Sequence, residues 1–162
     1  MANVFDLVTG NEHVVAESSR LKATGAGHIY DLKMIADTDN GTIVAIGDHV
    51  EGQVYEAKAY ANGDKAYFIL TPPLAYNGKK AWSDEKYFYN AEGEIARAYE
   101  LYVDDIFTVS EKAFAVKPEV GNLVNASYTV IGEVPATGFA GEVIEVVNYT
   151  NSVSYRIRVV AL

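Results

Sequence analysis

Turn signals punctuate this chain about every 8–15 residues, and that spacing limits what it can fold into. Residues 37–41 read DTDNG, 62–64 NGD, 77–78 NG and 148–152 NYTNS. Asn and Asp tolerate a left-handed φ, and Gly adopts it freely, so each cluster reverses the chain. The pieces between them are short and rich in Tyr, Val and Ile, which suit a pleated, half-buried surface. The pattern predicts a mainly β chain: a β-sandwich or β-barrel-like single domain with an extended N-terminal arm and at most one or two short helical turns.

Individual strands can be read from alternation. In residues 28–36, Tyr30, Leu32, Met34 and Ala36 form a wholly apolar set, as expected of a half-buried strand. Asp39-Asn40-Gly41 followed by TIVAI at 42–46 predicts a hairpin, with Gly47-Asp48 closing the second strand. Residues 53–60 alternate as a further strand, and 66–71 (AYFILT) form a continuous apolar run of the kind a central strand carries. Pro72-Pro73 ends it, since proline cannot donate to a ladder. Residues 95–109 fit both helical and strand spacing; their aromatic and β-branched content favours two short strands split at Asp104-Asp105. Ser110 then caps a single helical turn over 111–114. Near the C-terminus, GEVIEVV (141–147) and VSYRIRV (153–159) form a hairpin, with Val153, Tyr155, Ile157 and Val159 on one face.

Residues 1–27 differ in character from 28–162, the β-rich globular part. They hold Val4, Phe5, Leu7 and Val8, then a polar stretch and the small-residue run Ala23-Thr24-Gly25-Ala26-Gly27. Two readings stay open: an extended arm on a flexible joint, or an edge strand followed by a loop.

At 162 residues the chain is long enough for one core without a metal or disulfide staple. Its formal charge of −9 lacks the basic face that nucleic acid or an anionic membrane requires, so neither is an expected partner. Cysteine is absent, which removes disulfides, cysteine–zinc sites and thiol chemistry. The first residues carry no basic stretch followed by an apolar core, so the expectation is synthesis in the cytoplasm without a secretory signal. Tyrosine is abundant, at 12 against 6 Phe and 1 Trp, which fits either β packing or an exposed interaction face.

Chemistry is sparse. His13, His28 and His49 stand at no metal-ligand spacing. Asp37-x-Asp39-x-Gly41 starts like a calcium loop, but its Gly falls one position early and Asp48 stands where a bidentate Glu belongs. Asp104-Asp105 would point to opposite faces of a strand and so could not share a substrate. Lys79, Lys80 and Trp82 make at most a small basic-aromatic spot, and neither a P-loop nor a nucleophile elbow is present. The residues predict no enzyme and no cofactor.

Residues 86–114, KYFYNAEGEIARAYELYVDDIFTVSEKAF, read as strand, turn, strand, strand and a capped helical turn. This run, with its aromatic strand, acidic Gly turn, Arg-aromatic strand and DIFTVS, resembles small proteins found among the head genes of tailed bacteriophages. Residues 31–60, with a strand, a DNG turn, TIVAIG and EGQVYEA, resemble the same group, and the C-terminal GEVIEVV and YRIRVV match it in style. The resemblance spans roughly half of the chain. It implies a head decoration, or auxiliary capsid, protein: a virion component on the capsid surface whose partner is the major capsid protein, present in many copies, with homo-oligomerisation open. It assigns no functional residue to this sequence. On physical grounds the arm residues Val4, Phe5, Leu7 and Val8 are the candidate partner-binding residues, because an apolar extended segment can add to a sheet edge. The alternative is a small carbohydrate- or protein-binding β module, as in a head fibre or tail accessory protein, with Tyr residues and Trp82 as stacking platforms.

Overall fold

The computed structural model describes residues 12–72, 85–149 and 152–162. They form two β layers joined by one large core. Strands β2 (Ile29–Lys33), β4 (Val54–Ala59), β3 (Ile43–Glu51), β5 (Tyr67–Ile69) and β6 (Ile95–Glu100), in that order, close into a five-stranded barrel. All its pairs are antiparallel except β2 with β4. The second layer is a six-stranded sheet. Its order is β1 (Ala16–Arg20), β7 (Ile106–Ser110), β11 (Ser152–Ala161), β10 (Ala140–Tyr149), β8 (Leu123–Val124) and β9 (Val130–Ile131). Helical structure among the described residues is limited to short turns: α1 (Lys22–Ala26) and 3-10 turns at Glu85–Tyr87 and Glu111–Ala113. The chain is therefore mainly β, in a barrel-and-sheet arrangement.

Side-chain alternation builds two cores from the same barrel strands. Leu32, Met34, Val44, Ala57, Tyr67, Ile69, Ala96 and Ala98 cluster as the barrel filling. A five-stranded barrel has a narrow interior, and the three alanines keep it within that limit. The residues between them face outward and meet the sheet: Ile43, Phe68 and Tyr99 join Phe107, Val109, Val143, Tyr155, Ile157 and Val159. The Phe68 and Phe107 rings meet at 4.4 Å between centroids, across the joint. Strand β5 is buried on both faces, which is why 66–71 reads as an unbroken apolar run.

Several pairings differ from the sequence expectation. The hairpin across Asp39-Asn40-Gly41 does not form: β2 pairs with β4 and β6, and β3 with β4 and β5. The turn instead carries the chain between barrel strands that are not neighbours. Gly47-Asp48 does not end β3, which runs to Glu51 through an irregular register between Ile46 and His49. A bulge absorbs an extra residue and bends the strand without ending it. The aromatic stretch at 86–90 is a 3-10 turn followed by a lone bridge between Asn90 and Thr38, not a strand. The helical turn after Ser110 is present, but the Ser110 side chain does not cap it; its Oγ accepts the Val15 N–H at 3.0 Å.

The run at 23–27, a flexible joint on one of the two open readings and a loop on the other, is mostly helix α1, closed by Gly27 at φ 74°. Strand β1 is an edge strand paired to β7, and Val14, Ala16, Leu21 and Ala23 belong to the large core. The part of 1–27 that is described thus belongs to the packed body and is not a free arm. Val4, Phe5, Leu7, Val8, the turn at 77–78, Lys79, Lys80 and Trp82 lie outside the described residues.

Candidate docking surface

The polar side chains with the most connections hold segment 12–28 against the barrel. At its start, His13 Nδ1 lies 2.7 Å from Asp39 Oδ1, and the His13 N–H donates to the Lys86 carbonyl at 2.6 Å. At its middle, the Lys22 N–H donates to Asp105 Oδ1 at 3.0 Å, while the Tyr102 N–H donates to Asp105 Oδ2 at 2.9 Å. At its end, His28 Nδ1 lies 2.8 Å from Glu100 Oε2 and also meets the Tyr102 hydroxyl. Tyr102 donates to the same Glu100 oxygen at 2.9 Å, Lys65 Nζ stands 3.5 Å from Oε1, and Lys22 Nζ sits 4.9 Å over the Tyr102 ring.

These contacts shift the titrations in opposite directions. Burial works to raise Glu100, but the bonds from Tyr102 and His28 and the charge of Lys65 outweigh it, so its carboxyl lies below the usual carboxylate range. Burial raises Asp105, and its two backbone N–H bonds offset only part of that. Burial and the bond to Glu100 push the Tyr102 phenol up to about 12.

A second polar group locks the 37–42 turn. Asn40 and Asn90 are both buried, and Asn90 Nδ2 donates to Asn40 Oδ1 at 3.1 Å. Asn40 also exchanges a pair of hydrogen bonds with the Thr71 backbone, at 2.9 and 3.0 Å. Asp37 accepts the Glu92 N–H at 2.9 Å, so both carboxylates of the calcium-like motif serve the turn itself. Asp104 and Asp105 lie in a turn before β7 and not on a strand, and they diverge through it: Asp105 is buried, while Asp104, at φ 74°, pairs with Arg158 at 3.1 Å. No group of three or more His, Cys, Asp or Glu side chains among the described residues is placed to hold a metal ion.

A cleft of about 570 Å³ opens between barrel and sheet, walled by Ile35, Thr42, Tyr60, Lys112 and Ser127. Its lining carboxylate is Asp39, which His13 and the Val14 N–H already engage. The carboxylates with shifted titration, Glu100 and Asp105, lie elsewhere. Among the described residues Tyr67, Tyr89, Tyr99, Tyr128 and Tyr155 are buried and the other tyrosines half-buried, while Trp82 lies outside them.

Among the described residues the six-stranded sheet ends at β1 on one side and at β9 on the other, whereas the barrel closes on itself. Margin β1 is polar, exposing Ser18, Ser19 and Arg20. The opposite margin, at β9, exposes Val130 at 42%, flanked by exposed Thr129, Gly132 and Glu133. Sequence reasoning missed both the Asn40–Asn90 lock and the Glu100 cluster. Their partners are 50 and 72 residues apart, so no local spacing marks them. No described helix is long and apolar enough to cross a membrane. Comparison with protein-family models, with curated proteins and with solved structures finds no match.

Proposed function

We propose that this chain is a capsid decoration protein: a structural component that binds the outer surface of an assembled phage head, with the major capsid protein as its partner. The observation that carries the reading is the resemblance to phage head proteins across residues 31–60 and 87–114. In the fold these two segments supply four of the five barrel strands, β2, β3, β4 and β6, together with β7. They are thus neighbours in one unit and not scattered matches. The way polar groups are used supports the same reading. Glu100, Asp105, Asp39, Asn40 and Asn90 are engaged in holding the chain together.

A protein that binds the assembled shell but not its separated subunits stabilises the shell by mass action, by about 2.7 kcal/mol per site at a free concentration 100 times Kd. The net charge of −9 keeps many closely spaced copies soluble. The test is the rupture temperature of undecorated phage heads, measured with and without the purified protein. A rise that saturates with added protein is expected. An unchanged rupture temperature at saturating protein would contradict the reading.

A further inference from the structure

We propose that Asn62 is a site of spontaneous deamidation, and that the fold directs this chemistry to Asn62 and away from Asn40. Capsid binding plays no part in it. Two Asn-Gly pairs lie among the described residues, Asn40-Gly41 and Asn62-Gly63, while Asn77-Gly78 lies outside them. In such a pair no Cβ on the second residue hinders attack by its backbone nitrogen on the Asn side chain. The Gly nitrogen gives its proton to water and forms a bond to Asn Cγ. The Cγ–N bond of the side-chain amide breaks, and the nitrogen leaves as ammonia. The product is a cyclic imide. Water opens it at either of its carbonyls, leaving aspartate, or isoaspartate with the main chain rerouted through the former side chain. The balance is an amide and water exchanged for a carboxylate and ammonium, with no oxidant or reductant.

The two pairs have opposite surroundings. Asn40 is 7% exposed. Its Nδ2 donates to the Thr71 carbonyl at 2.9 Å, and its Oδ1 accepts the Thr71 N–H at 3.0 Å and Asn90 Nδ2 at 3.1 Å. The Gly41 N–H, the group that would attack, donates to the Ile69 carbonyl at 2.7 Å. Nucleophile and target are thus both held in hydrogen bonds inside the body, and reaction there waits for local unfolding. Asn62 and Gly63 are exposed, in the turn between β4 and β5. Neither the Asn62 side chain nor the Gly63 N–H has a hydrogen-bond partner among the described residues. The turn is closed by the residues that flank them: the Asp64 N–H donates to the Ala61 carbonyl at 3.0 Å, and the Ala61 N–H to Asp64 Oδ2 at 3.2 Å. Asn62 rests against Gly138, where an added Cβ would stand 2.6 Å from its Oδ1. Conversion places a new carboxylate beside Asp64, which already pairs with Lys58 at 3.6 Å. The converted chain is more acidic, and its share records the time since folding.

Peptide mapping of the full chain tests this. The folded protein is held at mildly alkaline pH, well below its melting temperature, and sampled over weeks. A second portion is held in denaturant at the same pH. Each sample is cut with trypsin at slightly acid pH, where the reaction is slow, and read by mass spectrometry. Cleavage after Lys33, Lys58 and Lys65 puts Asn40 and Asn62 in separate peptides, 34–58 and 59–65, with no other Asn in either. In the folded protein the 59–65 peptide is expected to turn into aspartate and isoaspartate forms on the order of tenfold or more faster than 34–58, since Asn40 reacts only in opened molecules. In denaturant the two peptides are expected to convert at similar rates. A folded chain that keeps the Asn62 amide while the unfolded chain loses it would overturn the proposal. So would equal conversion of Asn40 and Asn62 in the folded chain. Capsid heads are absent from the experiment, so its failure leaves the decoration reading untouched.

Discussion

Glu100 shows how one buried side chain ties stability to pH. Its folded pKa is depressed, so the stability it contributes is present above the ordinary carboxylate range and is lost as pH falls through the folded value. Glu100→Gln is expected to cost about 1.5–3 kcal/mol near neutral pH, because bonds to a charged acceptor are replaced by weaker ones. Denaturant midpoints from neutral to strongly acid pH should show the difference from the parent shrink below about pH 4. A difference independent of pH would place the effect in packing and not in charge. Asp105 works in the opposite sense: its raised pKa favours the folded state at low pH, and that contribution is lost as pH rises through the folded value. Thr108 is a simpler case. It is 1% exposed, and its hydroxyl has no hydrogen-bond partner among the described residues. Thr108→Val is expected to stabilise the protein by about 1 kcal/mol, read as a raised denaturant midpoint, since an unsatisfied buried hydroxyl is removed at similar volume.

Among the elements, β1 and α1 decide where the chain can be cut. Strand β1 covers the outer side of β7, and the segment from Val14 to Ala23 contributes Val14, Ala16, Leu21 and Ala23 to the large core. Removing residues 1–27 is therefore expected to abolish the cooperative thermal transition, whereas a chain starting at Glu12 retains it; circular dichroism during heating distinguishes the two. The sequence left 1–27 open between an arm and an edge strand, because the Ser and Gly content of 18–27 suits both a flexible joint and an edge strand followed by a Gly-closed turn. Where alternation was clean, the strands could be read: β2, β4, β10, β11 and the split of β6 from β7 all lie where the pattern placed them. Pairing could not be read. Alternation specifies which face a residue takes but not which strand lies beside it. β2 finds β6 some 65 residues away because their inward residues, Leu32 with Ala96 opposite, fill the barrel together. The stretch at 86–90 misled because aromatic content marks burial as well as strands: Phe88 and Tyr89 are buried, yet the backbone there makes only the Asn90 bridge.

The whole molecule depends on two cores of different tolerance. The barrel filling has little spare room, and Ala98 is 0% exposed within it. Ala98→Leu is expected to cost about 1–3 kcal/mol by overpacking, measured by chemical denaturation. The joint between barrel and sheet is held by larger groups, and Phe107 is likewise 0% exposed. Phe107→Ala is expected to cost about 3–5 kcal/mol. The body so built carries a net charge of −9. Co-sedimentation tests the proposed role on a shell most directly. The purified protein is mixed with undecorated heads and, separately, with dissociated capsid subunits, and the bound copies per head are counted. The account predicts saturation at a copy number that matches a symmetry site of the shell, with no binding to the subunits. Absence from the head pellet, or equal binding to free subunits, would contradict it.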